Sequence, residues 1–185
     1  MKQIEISYEE LEQDFIKELG KLGSEGLYRR GILATSEGDH VTARRMHFIS
    51  NGLTLYCYTI RGTRKCKQIM ANPNVAVVAG FVQYEGVASV KGHPLDEENA
   101  DFIKAFKENQ PEKYEREKRI FQNPDLDWVV IKVEPKRIAL RKLADPASGI
   151  EEGIYILNVA KREAYGAIDS GSEHSDPNGA PAYWE

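Results

Sequence analysis

The chain has 185 residues, 41% hydrophobic and 29% charged, with a formal net charge of −4. This supports one domain with a sizeable core and argues against nucleic acid as the main partner. It also excludes a membrane-spanning helix, because no run approaches the roughly 20 apolar residues needed. Met1-Lys2-Gln3-Ile4-Glu5 lacks the apolar core of a signal peptide, so a cytoplasmic location is expected. Cys57 and Cys66 make neither a disulfide framework nor a zinc spacing and read as packing residues.

Ser7-Tyr8-Glu9-Glu10 has the capping-box pattern, with Leu11, Phe15, Leu19 and Leu22 following at helical spacing. A helix over 8–22 is expected, stopped at Gly23 and covering one opening or face of a sheet. Strands follow over 31–36, 40–50 and 53–59. The turn Glu37-Gly38-Asp39 joins the first two and the hairpin signal Asn51-Gly52 the next two, so they are antiparallel.

The next stretch, 58–69, is the most informative. Gly62 allows a turn and Thr63 suits an N-cap. Cys66, Ile69 and Met70 then give a helix its buried side. Arg64 and Lys65 fall in the first turn, where the helix dipole disfavours each cation by roughly 0.3–1 kcal/mol. An anion beside them removes that conflict. Free amides with Thr63, Arg64 and Lys65 make a phosphate cradle. The bland alternative is a solvated basic surface.

Asn72-Pro73-Asn74 breaks the helix. The nearly continuous apolar run 75–82 predicts a strand covered on both faces, and 85–92 a further strand, with Gln83-Tyr84 as the hairpin between them. Helices are expected over 96–108, with Phe102, Ile103 and Phe106 on one face, and over 111–121. A strand over 128–133 is ended by Glu134-Pro135, with 137–143 pairing back on it. One more strand is expected over 154–159. From Ile168 to Gly179 the composition is that of a loop or disordered end, with Tyr183-Trp184 at the terminus. The fold class is mainly β with helices, α+β. It is a closed or nearly closed antiparallel barrel, since closure removes sheet edges.

The order of Ile32-Leu33-Ala34-Thr35, Val41 to Phe48, the Asn-Gly turn, Leu55 to Thr59, Gly62-Thr63-Arg64-Lys65 and Asn72-Pro73-Asn74-Val75 resembles the pyridoxamine 5′-phosphate oxidase-like family. The resemblance covers 28–93 well and 128–143 loosely. It implies an antiparallel split β-barrel over 1–145, a partly irregular C-terminal extension over 146–185, and a homodimer with FMN at the subunit interface. By position, Arg44 is similar to the family arginine that reaches the FMN phosphate. The backbone of Arg45, Met46 and His47 matches the isoalloxazine edge. Tyr58 and Thr59 match the pair bordering the flavin, and Thr63, Arg64 and Lys65 the phosphate clamp. The family's Arg-x-His substrate motif has no counterpart in Lys161-Arg162-Glu163-Ala164-Tyr165-Gly166, so the vitamin-oxidase activity itself is not implied. Glu85 falls near the family's polar position that reaches the partner's flavin, and it is not carried over.

The four histidines, His40, His47, His93 and His174, have no metal spacing. The glutamate pairs 9–10, 97–98 and 151–152 read as solvated. Lys113 to Arg119 interleaves basic residues with glutamates and makes no nucleic-acid stripe. There is no P-loop, G-x-G-x-x-G or G-x-S-x-G. Three readings follow. The first is an FMN-dependent oxidoreductase using a small substrate or a reduced nicotinamide. The second is a flavin-, deazaflavin- or haem-binding barrel without turnover. The third is an interaction module whose basic patch is surface only. The cofactor carries most of the chemistry in the first, and no catalytic side chain is assigned.

Overall fold

The structure, a computed structural model, describes residues 2–22, 30–147 and 150–168. The stop at Gly23, the tail from Asp169 and the terminal Tyr183-Trp184 lie outside them. In chain order the elements begin with β1 (Lys2–Glu5), α1 (Tyr8–Gly20), β2 (Gly31–Glu37), β3 (His40–Met46), β4 (Ile49–Asn51) and β5 (Thr54–Ile60). After these come α2 (Arg64–Ala71), β6 (Asn74–Ala79), β7 (Val82–Val90), a 3₁₀ turn (Glu97–Asn99), α3 (Ala100–Asn109) and α4 (Pro111–Phe121). β8 (Trp128–Lys142), β9 (Gly153–Asn158) and β10 (Glu163–Ile168) complete the fold.

All ten strands belong to one antiparallel sheet, ordered β1-β10-β9-β8-β7-β6-β2-β3, with β5 paired to the first half of β8 and β4 to β5. Among the described residues no ladder joins β3 to β4 or β5. The expected barrel is therefore split, not closed. Its inner face nevertheless forms one cluster. Leu33, Leu55, Cys57, Val77, Tyr84, Ile131 and Val133 meet there, with Leu11, Phe15 and Leu19 of α1. α1 begins as expected, the Ser7 hydroxyl accepting from the Glu10 amide at 3.4 Å. A second cluster lies between β5, β8 and the α3–α4 pair, built from Tyr56, Phe102, Phe106, Tyr114, Phe121 and Val130.

Four sequence expectations are corrected. The 40–50 strand is two, because the chain leaves the ladder at His47-Phe48. The hairpin expected at Gln83-Tyr84 lies at Gly80-Phe81, where Ala79 pairs with Val82 and Gly80 has φ of 57°. Gln83 and Tyr84 lie inside β7, and the Tyr84 hydroxyl reaches the carbonyls of Leu53 at 3.0 Å and Val133 at 2.9 Å. The β6 run is covered on one face only: Val78 is 45% exposed. Pro135 does not end a strand, so 128–133 and 137–143 are halves of one strand, β8. The register slips opposite Glu85 and Gly86, a bulge that tolerates a residue with no amide to donate.

Candidate functional site

The β2–β3 hairpin sets Leu33 opposite Arg44 and Thr35 opposite Thr42. Leu33 and Thr35 are buried, so Arg44 and Thr42 share the inward face of β3, and alternation puts Arg45 on the other. α2 packs against β2 and β7, bringing its N-terminal turn to the same place. Arg44 Nη1 donates to the Leu33 carbonyl at 3.1 Å and to Thr35 Oγ1 at 2.6 Å. Its Nη2 donates to Thr42 Oγ1 and, at 3.3 Å, to Gln68 Oε1. Burial and the nearby positive charge of Arg64 both lower the Arg44 pKa. Lys65 Nζ donates to the buried Thr59 hydroxyl at 2.8 Å, and its pKa is lowered chiefly by burial, with Arg44 adding to it.

Arg44, Arg64 and Lys65 thus sit around one place, two of them partly desolvated. None of the ion pairs among the described residues involves any of them. The first turn of α2 contains no acid, whereas α1, α3 and α4 each carry at least one there. Three cations gathered at a helix N-terminus with no ion-paired carboxylate among the described residues are the charge complement of an anion, and the Arg64 and Lys65 amides add donors there, those of Cys66 and Lys67 being taken by the Thr63 carbonyl.

The expected Thr63 cap is corrected. Thr63 occupies the N-cap position in extended backbone, but its hydroxyl makes no capping bond and points to Cys66 Sγ at 3.5 Å. The expected buried face of α2 is also rotated. Met70 is 66% exposed, while Gln68 is 1% exposed. Gln68 Oε1 accepts from Thr35 Oγ1 and Thr42 Oγ1, both at 2.7 Å, and its Nε2 donates to the His40 carbonyl at 3.2 Å. A buried amide is tolerable only with such satisfaction. Residue-type reasoning missed Gln68, Thr35 and Thr42. No residue-type signal marked them, because the burial of Gln68 depends on the partners that β2 and β3 offer it.

Of the remaining sequence-singled residues, only Thr59 touches the cation group. Arg45 is exposed and Met46 packs on the main core. His47 leaves the strand and its Nε2 donates to Gln110 Oε1 at 2.6 Å. Burial, with the charge of Lys113, pushes its pKa down to about 4. Tyr58 and Thr59 alternate across β5. Thr59 faces Lys65, whereas Tyr58 enters the aromatic cluster, edge-on to Phe121 at 5.0 Å and beside Phe106 and Trp128. Burial, with Glu117 next, raises the Tyr58 pKa well above that of a free phenol. Both cysteines are free and buried, and burial pushes the Cys57 thiol up to about 12. No group of three or more metal-ligating side chains occurs among the described residues. No helix among them is long and apolar enough to cross a membrane.

No family model matches the chain, and no curated protein matches it. Solved structures do. A candidate pyridoxamine 5′-phosphate oxidase from Listeria innocua is 29% identical with a TM-score of 0.50, over 69% of this chain and 95% of that one. ChuZ from Campylobacter jejuni superposes with a TM-score of 0.58 at 18% identity, over 92% of this chain and 67% of that one. A pyridoxamine 5′-phosphate oxidase-related, FMN-binding protein from Nostoc punctiforme has a TM-score of 0.53 at 15% identity, over 85% of this chain and 96% of that one. The last two share the fold; the first also shares sequence across nearly its whole length. With the motif order and the split antiparallel sheet, these matches show that the chain has the split-barrel fold of pyridoxamine 5′-phosphate oxidase-like proteins and is similar to that family in sequence.

Proposed function

We propose that this protein is an FMN-binding homodimeric oxidoreductase acting in the cytoplasm and using a small substrate or a reduced nicotinamide. One observation carries the cofactor assignment: Arg44, Arg64 and Lys65 converge on the N-terminus of α2 with no carboxylate among their ion-pair partners. A terminal phosphate dianion fits that donor set, because charge-assisted bonds from several cations suit a group with two negative charges. In this reading Arg44, Arg64 and Lys65 hold the phosphate. Thr63 contributes its hydroxyl beside them, since its amide is taken by the Ile60 carbonyl at 3.2 Å. The backbone of Arg45, Met46 and His47, with Tyr58 and Thr59, borders the flavin ring.

The flavin supplies hydride and electron transfer when bound. The chain binds it, orients it and keeps the phosphate out of water. The homodimer is supported by the outer face of β2 and β6. There Ile32 lies directly opposite Val78, and the two are 42% and 45% exposed, an apolar pair that a second copy would cover. The cofactor-binding unit is 1–145, and 146–185 is its extension.

The test is FMN titration of a double variant, Arg64→Gln with Lys65→Gln. Each charged hydrogen bond is worth ~1.5–3 kcal/mol, so binding should weaken by several kcal/mol. Unchanged affinity would remove the phosphate assignment.

A further inference from the structure

The floor beneath Arg44 has a property that the phosphate reading does not require. Every acceptor that holds the guanidinium is uncharged: the Leu33 carbonyl, the Thr35 and Thr42 hydroxyls and Gln68 Oε1. The two hydroxyls pass their own protons on to Gln68 Oε1 at 2.7 Å, so one amide oxygen terminates the side-chain branches of the network. The orientation of that amide is fixed from behind. The His40 carbonyl at 3.2 Å can only accept, which places Nε2 there and Oε1 on the hydroxyls. Burying this amide in place of Met70 gives up apolar burial. A carboxylate at the same place would hold an arginine more tightly, in the bidentate geometry common for such pairs, and would cancel its charge.

We propose that Gln68, acting through Thr35 and Thr42, is a positioning residue that fixes Arg44 without neutralising it. This tunes the site for the doubly charged phosphate of a phosphomonoester over a singly charged phosphodiester. The inference rests on the flavin-phosphate reading above and adds the charge that the site selects. With a neutral floor, Arg44 meets the ligand carrying its full charge, beside Arg64 and Lys65. An acidic floor would leave two effective cations, enough for a monoanion.

Thr42 is half-buried beside Arg44, so it accepts a new side chain more easily than the core does. The experiment compares Thr42→Asp with Thr42→Asn, near-equal in size and differing by one charge. Both are titrated at pH 8 with FMN, with its 4′,5′-cyclic phosphodiester and with riboflavin. FMN should bind Thr42→Asp at least about tenfold more weakly than Thr42→Asn, as expected for one charged interaction. The cyclic diester should lose less and riboflavin nothing. Gln68→Glu, monitored by thermal melting to confirm folding, should give the same graded order. Equal losses for all three ligands would mean a merely structural role and overturn the proposal, as would equal FMN affinity in the Asp and Asn variants. A wild-type protein that binds none of the three would overturn the flavin reading and this inference with it. Wild-type FMN binding that is lost in the Arg64/Lys65 double variant but insensitive to Thr42→Asp would overturn this inference alone.

Discussion

Arg44, on β3, and His47, just past its end, stand three residues apart and are handled in opposite ways. Arg44 keeps its charge in a half-buried place because it has four acceptors. His47 is kept neutral: burial and Lys113 outweigh its bond to Gln110, and its pKa falls to about 4. The sign of the pH dependence follows. Between the ordinary histidine value near 6.5 and about 4, the unfolded chain binds the proton and the folded one does not, so stability falls as pH falls through that window. A partly exposed ring feels a screened effect, on the order of 1–3 kcal/mol. Urea denaturation at pH 7 and pH 4.5 should show His47→Gln losing less stability on acidification than wild type. An equal loss would mean that His47 does not carry the effect. The basic pair Arg64-Lys65 after Thr63 was legible in the sequence because cations conflict with a helix N-terminus whatever surrounds them. Gln68 was not, since nothing in its residue type says that a helix will turn to bury it.

At the scale of elements, local signals were reliable where the chain closes on itself and weak where packing decides. The Gly38 and Gly52 turns formed where expected, both with positive φ. The α2 face was misjudged because Met70 outranks Gln68 in hydrophobicity, yet the polar inner surface of β2 and β3 offered Gln68 partners and Met70 none. The Pro135 stop failed for a tertiary reason. The bulge spares the missing amide, and Gly86 opposite it lets β7 and β8 approach. A Cβ at Gly86 would meet the Glu134 carbonyl at 2.5 Å, so no other residue fits without backbone movement. The apolar run of β6 suggested two covered faces, and one is bare. If a second copy covers it, Ile32→Asp combined with Val78→Asp should shift sedimentation from dimer to monomer while leaving the inner core untouched. A wild-type monomer, or a dimer that survives the double change, would remove this face as the interface.

At the scale of the whole molecule, the sheet joins elements far apart in the chain. β1 and β10 pair with each other at one end of the sheet, an arrangement invisible to periodicity, since β1 is mostly exposed and its partner lies more than 150 residues on. The long β8 holds the sheet together, taking β5 and β7 on its first half and β7 and β9 on its second. This frame separates two compartments across β5: the cation group with Thr59 on one side, and Tyr58 with the aromatic cluster on the other. The flavin reading uses the first for phosphate and the chain between them for the ring. The most direct test is the visible absorption spectrum of the purified protein, with mass identification of whatever denaturation releases. The account predicts a flavin spectrum and released FMN. A haem band, or a colourless protein that fails to take up added FMN, would contradict it.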